Sequence, residues 1–222
     1  MLVLVGFETS GMIRQRLRNA GVNAYSCDTL PADDNSKFHF QCDIWKIAEQ
    51  FDWDFGIFHP PCTYLTNAAA WAFTDPPYHQ KVKPGTLVGQ DRRDARERAL
   101  EDVTRLMKLP YPHIIENPRG YIGSMIRKAD QIIQPYQFGD DASKATCLWF
   151  SKGLKHTAPT KRIKGRLVNY KGKIVERWSN QTDSGQNKLT PSKDRWKERS
   201  KTYPGIADAI VKIVLDHRDF IL

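Results

Sequence analysis

The run "LVLVGFETSGMIRQRLRNAG", Leu2 to Gly21, reads as strand, turn and helix. Leu2 to Val5 is a short apolar stretch. Gly6, Ser10 and Gly11 fill the turn, Met12, Ile13 and Leu17 recur at helical spacing, and Gly21 closes the helix. The run has no positively charged lead and no small-residue cleavage site, so it reads as a first strand rather than a secretory signal. The same alternation continues downstream. "VNAYSCD" and "KFHFQCD" are the second and third strands, ending in Asp28 and Asp43, and "IWKIAEQF" is a short helix. "DFGIF" is the fourth strand, Asp91 to Lys108 a charged amphipathic helix, and "PHIIENP" the fifth strand. "QIIQPYQF" and "TCLWF" suit two late strands forming a hairpin, and "PGIADAIVKIVLDH" a final helix with proline near its start.

Strands alternating with helices predict an α/β fold, Rossmann-like, with a mostly parallel sheet and a terminal antiparallel hairpin strand. With 222 residues, 40% of them hydrophobic, residues 1–222 suit one domain. The longest apolar runs are too short to span a bilayer, so no membrane partner is expected. Four cysteines without a C-x-x-C pair, and six histidines outside ligand spacing, predict no metal site. Spaced thiols suit a reducing, cytoplasmic setting.

In doubly wound sheets ligands sit at the carboxyl ends of the strands. Glu8, Asp28, Asp43, Cys62 and Glu116 all fall at or just past a strand end. The first turn is Gly6-x-x-x-x-Gly11, not the G-x-G-x-x-G that a dinucleotide pyrophosphate requires. S-adenosylmethionine has no pyrophosphate, and its cationic sulfonium and ammonium suit Glu8. Asp28, about 20 residues beyond the turn, is placed to accept ribose hydroxyls. Asp43 is placed to accept from an adenine amino group, though it also stands where a helix N-cap would.

Two double prolines compete for the chemistry. "DPPY", Asp75 to Tyr78, matches a motif of amino-methyltransferases, but alanine-rich "AAAWAFT" precedes it where that motif needs a buried strand. "HPPC", His59 to Cys62, follows the credible strand "FGIF". Fixed φ angles at Pro60 and Pro61 hold the next side chain in place. That side chain is a thiol, a strong nucleophile once ionised. A buried structural cysteine is the plain alternative.

"HPPC" and "ENP" together resemble the Pro-Cys and Glu-Asn-Val motifs of the DNA (cytosine-5) methyltransferases. "GFETSG" resembles their cofactor turn, with Phe7 as its aromatic, and "CDIW" their G-D-I. "CDTLP", "HPPCTYL", "QPYQFG", "KATCLW" and "DRWKERSKTYPGIA" are similar to a compact, phage-type branch of that family, which would place the protein in a host cytoplasm. The resemblance implies S-adenosylmethionine as cofactor, held by Phe7, Glu8, Ser10, Gly11, Asp28, Asp43 and Pro60. It implies Cys62 as nucleophile toward carbon 6 of cytosine, with protonated Glu116 at N3, its pKa raised by desolvation. Asn117 would position the cysteine loop. The target base would be flipped out of a duplex, with the loop Thr63 to Gln90 closing over it.

The chain departs from that family in three places. The family's Gln-x-Arg-x-Arg is replaced by "SKATCLW", which puts Lys144 and Thr146 where its arginines stand. Only about 40 residues, His156 to Asp194, replace the long target-recognition region, so short or no sequence specificity is expected. "TYPGIADAI" replaces the closing G-N-S. Between Ser151 and Lys201 stand 15 Lys/Arg against 4 Asp/Glu, while the rest of the chain has 19 against 21. The whole basic excess therefore lies in one segment, the footprint of a polyanion such as DNA. Lys81, Lys83, Lys161, Arg162 and Arg195 are its candidate phosphate contacts. A free or single-stranded pyrimidine, a modified cofactor and an inactive DNA-binding relative stay open as alternatives.

Overall fold

The computed structural model describes residues 1–190, 192 and 195–221, without the side chains of 195–197 and 220–221. Its centre is a seven-stranded sheet in the order β3-β2-β1-β4-β5-β7-β6. The strands are β1 (Leu2–Gly6), β2 (Asn23–Asp28), β3 (His39–Gln41), β4 (Phe55–Phe58), β5 (His113–Pro118), β6 (Gln131–Ile133) and β7 (Thr146–Phe150). The first five run parallel. β7 runs antiparallel to both β5 and β6, which gives the expected late hairpin.

Helices cover both faces, and strand residues sort between them by parity. Val3, Val5, Phe55, Ile57 and Ile114 pack with α1 (Met12–Asn19) and α5 (Pro204–Ile221). Leu4, Phe58, Ile115 and Trp149 pack with α2 (Trp45–Ala48) and α3 (Gly89–Leu106). A strand buried on both faces must be apolar throughout. For this reason β1 and β4 read as unbroken apolar runs, with His59 ending the second and Glu8 following Phe7 after the first. α3 begins two residues before the expected Asp91.

One element lies outside these expectations. The basic segment holds a two-stranded antiparallel ribbon of its own, β8 (Arg166–Tyr170) and β9 (Lys173–Arg177), separate from the main sheet. Its two-residue turn is Lys171-Gly172, with φ of 53° and 77°. Positive φ at both positions matches the twist of a hairpin. A short helix, α4 (Arg195–Ser200), leads into α5.

Among the described residues no helix is long and apolar enough to cross a membrane. Nor is any group of three or more His, Cys, Asp or Glu side chains placed to hold a metal ion.

Candidate active site

β4 and β5 are parallel neighbours with Phe58 opposite Ile115. His59 to Cys62, in the loop after β4, therefore emerge beside Glu116 to Gly120, the end of β5 and the start of its loop. Four contacts join them. His59 Nδ1 lies 2.9 Å from Glu116 Oε2, with the two side chains only 12% and 14% exposed. An ionised carboxylate only accepts, so Nδ1 carries the proton and donates. Asn117 is buried, and its Nδ2 donates to the Pro60 carbonyl at 2.7 Å across 57 residues of sequence. Tyr121 N donates to the Leu65 carbonyl at 2.8 Å, and Thr66 bridges Gly120. Any side chain at Gly120 would strike the Leu65 carbonyl. Glycine thus lets the two loops lie in direct backbone contact.

Further anchors come from outside the sheet. Buried Arg92, in the first turn of α3, donates to the Thr63 carbonyl at 3.0 Å and lies over the rings of Tyr64 and Phe73. Lys144 Nζ donates to the Lys201 carbonyl at 3.1 Å. The charges of Lys144 and of Arg199, on α4, both act on Cys62. The end of the basic segment is therefore near enough for its charge to be felt at the cysteine.

The electrostatics correct one expectation. Burial pushes the Glu116 carboxyl up, as anticipated. The hydrogen bond and charge of His59, with the charge of Lys144, outweigh it, and the carboxyl is held below its ordinary value. Burial raises the Cys62 thiol, and the Glu116 charge raises it further, while Lys144 and Arg199 pull it back. In the resting state the acid is ionised and the thiol protonated.

At the β1 end, Gly11 has φ 65°, and a Cβ there would collide with the Arg14 guanidinium. Phe7 has φ 60°. Such strain in a non-glycine residue costs about 1–3 kcal/mol and gathers beside ligand sites. Ser10 Oγ accepts from the Met12 amide at 3.3 Å. Glu8 is buried, and its oxygens accept from the Ile13 and Arg14 amides at 2.7 and 3.4 Å. Glu8 therefore closes the N-terminus of α1, and burial raises its carboxyl despite the α1 amides and the His59 charge. Asp28 Oδ1 accepts from the Leu30 amide at 2.9 Å. Asp43 Oδ1 accepts from the Trp45 amide at 2.9 Å, capping α2 as its position allowed. Asp28 and Asp43 each keep a second oxygen with no hydrogen bond among the described residues. These stand at the ends of two neighbouring strands, where they suit hydroxyl and amino donors of a nucleoside better than a phosphate. Glu8, engaged by the α1 amides, has less left to give a cationic ligand than expected.

Lys81 and Lys83 are exposed on the loop after Tyr78. Asp75 precedes them, 72% exposed and paired with Arg93 at 2.9 Å. Pro60 is buried under the cysteine loop. Lys161 is exposed, and Arg162 pairs with Glu176 beside the Tyr136 ring. Arg195 opens α4, and its side chain lies outside the described residues.

Sequence reading missed three participants. His59 was visible inside "HPPC", but its partner is set by strand adjacency. Arg92 looked like any charge on an amphipathic helix, and Arg199 like one of many in a basic tail. No protein-family model matches the chain, and no curated protein matches it.

Proposed function

We propose that the protein is an S-adenosylmethionine-dependent methyltransferase that modifies carbon 5 of cytosine in DNA through a covalent Cys62 adduct. The observation that carries this reading is the meeting of Cys62 and Glu116 on adjacent strand ends, close enough for the Glu116 charge to raise the thiol. Carbon 5 of cytosine is not nucleophilic until a nucleophile adds at carbon 6. Cys62 supplies that bond as thiolate. Glu116 takes up the proton that the Cys62 thiol gives up, presents it to ring N3 and so accommodates the electron pair pushed into the ring. Asn117 holds the loop that aims Cys62, and His59 orients Glu116.

Phe7, Ser10, Gly11, Asp28 and Asp43 would hold the cofactor, with Pro60 behind it. When bound, it supplies an electrophilic methyl group. Loss of the proton from carbon 5 and elimination of the Cys62 sulfur restore the aromatic ring and the enzyme. Lys144 and Arg199 favour the thiolate throughout. Asp75-Pro76-Pro77-Tyr78 follows a short helical turn rather than a sheet strand, and its acid is exposed and ion-paired. This placement disfavours amino-group transfer.

The test is nucleoside analysis of DNA incubated with the protein and methyl-labelled cofactor. Labelled 5-methylcytosine is expected, and its absence from duplex and single-stranded DNA alike refutes the reading. DNA carrying 5-fluorocytosine should give a covalent complex that Cys62→Ala abolishes.

A further inference from the structure

The β8–β9 ribbon has one face that nothing among the described residues covers. Leu167 and Glu176 pair across it, as do Asn169 and Ile174. Paired residues share a face, and here Leu167 is 72% exposed and Ile174 66%. Between Lys161 and Arg177 stand seven Lys/Arg against one Glu. Arg162 and Arg166 are ion-paired, but among the described residues Lys161, Lys164 and Lys173 are not. The root of the ribbon is firm. Trp178 is buried, stacks on Tyr136 at 3.9 Å and 7°, and donates to the Ile163 carbonyl at 3.1 Å. Asn180 Oδ1 then accepts from the Ser143 amide at 3.0 Å, one residue before Lys144. A rigid, basic, partly apolar ribbon is thus anchored beside the residue whose charge reaches Cys62 and Glu116.

We propose that this ribbon enters the major groove of a DNA duplex, with Leu167 and Ile174 against base edges and Lys164, Lys171 and Lys173 on the flanking phosphates. The major groove admits a two-stranded ribbon, and aliphatic side chains there meet thymine methyl groups. Basic side chains fix the position of the protein but carry no sequence information. With two aliphatic contacts, the ribbon distinguishes little beyond duplex from single strand. The proposal rests on the reading of the protein as a DNA-modifying enzyme, and its test is separable from that reading.

The experiment measures binding of the full chain to a fluorescent duplex, and to its single strand, as salt is varied. Lys171→Gln with Lys173→Gln should lower the slope of log affinity against log salt by about 2, since each phosphate contact contributes about 0.9. Leu167→Ser with Ile174→Ser should weaken duplex binding about tenfold and leave the slope unchanged. Both pairs lie on an exposed ribbon, so thermal unfolding should match the parent. Three results overturn the proposal: unaltered duplex binding by both variants, equal losses on single strand and duplex, or a serine variant whose only change is loss of self-association in sedimentation. A Cys62 adduct on single-stranded 5-fluorocytosine DNA, formed equally by parent and variants, reports on the function separately. If duplex binding falls in the variants but no adduct forms anywhere, the ribbon proposal stands and the enzymatic reading fails.

Discussion

Replacing His59 with phenylalanine keeps a ring in the same space and removes the donor to Glu116. The wild-type bond is 2.9 Å long and nearly shielded from water. Hydrogen bonds to a charged group contribute about 1.5–3 kcal/mol. Loss of the bond raises the Glu116 carboxyl above its wild-type value, because burial is then opposed by the Lys144 charge without help from His59. His59→Asn is the control, because its amide nitrogen falls near Nδ1 and keeps a donor. Carbon-detected NMR titration of labelled glutamate reads the shift directly. The consequence for stability has a definite sign. In the wild type the depressed Glu116 stabilises the fold above the ordinary glutamate pKa, and that contribution is lost as pH falls through its folded value. In His59→Phe the part of that contribution that came from His59 is missing at neutral pH, and acidification removes the difference. The difference in unfolding free energy between the two proteins should therefore be about 1.5–3 kcal/mol at neutral pH and shrink in acid. His59 Nε2 is buried without a partner, so phenylalanine also removes an unsatisfied group. That gain moves the whole curve without changing its slope. Coincident Glu116 titrations in wild type and His59→Phe, or a stability difference that is flat with pH, would refute the reasoning.

Asn117→Ala deprives the Pro60 carbonyl of its side-chain donor and should cost about 1–3 kcal/mol in urea unfolding. The rate of Cys62 adduct formation should fall by more than that loss accounts for, because the bond holds the cysteine loop itself. Trp178→Ala removes a buried ring stacked at 3.9 Å and should lower stability by about 3–5 kcal/mol. Hydrogen exchange should then show β8 and β9 opening ahead of the seven-stranded sheet, and simultaneous opening would contradict the ribbon's separate rooting.

The sheet was legible because burial on both faces leaves strands with little choice of residue. β1 and β4 are apolar throughout and β7 is apolar after Thr146, while His59 and Ser151 mark where β4 and β7 give way to loops. The ribbon was not legible for the opposite reason. "RLVNYKGKIVER" carries its aliphatic residues in adjacent pairs, Leu167-Val168 and Ile174-Val175, so it shows no strict alternation under its basic composition. The site divides the same way. Cys62, Glu116 and Asn117 carry local signals, namely two prolines before the thiol and "ENP" at a strand end. Strand order decides which partner each of them meets, and a sequence does not display strand order. His59 is the clearest case, since β4 and β5 place it against an acid 57 positions away. Glu8 shows the converse. Its charge suited a cationic ligand, yet the orphan amides of a helix starting a few residues later engage it first.

The coupling between Glu116 and Cys62 explains why a site with a raised thiol and a lowered acid is not a contradiction. Glu116 suppresses the reactive form of Cys62, and His59 suppresses that of Glu116. While Glu116 is ionised, its charge keeps the proton on sulfur. While His59 donates to Glu116, the carboxylate has little tendency to take a proton. A neutral, planar ring with a basic nitrogen at Glu116 changes both at once. Two acceptors cannot meet without a proton between them, so the pair takes up the proton that leaves the Cys62 thiol; this cancels the negative charge facing sulfur, and Lys144 and Arg199 are left to act on Cys62 unopposed. On this account thiolate forms in response to the bound base. The idle enzyme keeps a thiol that is slow to alkylate and to oxidise, since the thiolate is the reactive species. The pH profile of iodoacetamide labelling checks this directly. Glu116→Gln, which removes the opposing charge permanently, should shift Cys62 labelling to lower pH than in the wild type. An unshifted profile would show that the two groups do not face each other as the strand order places them.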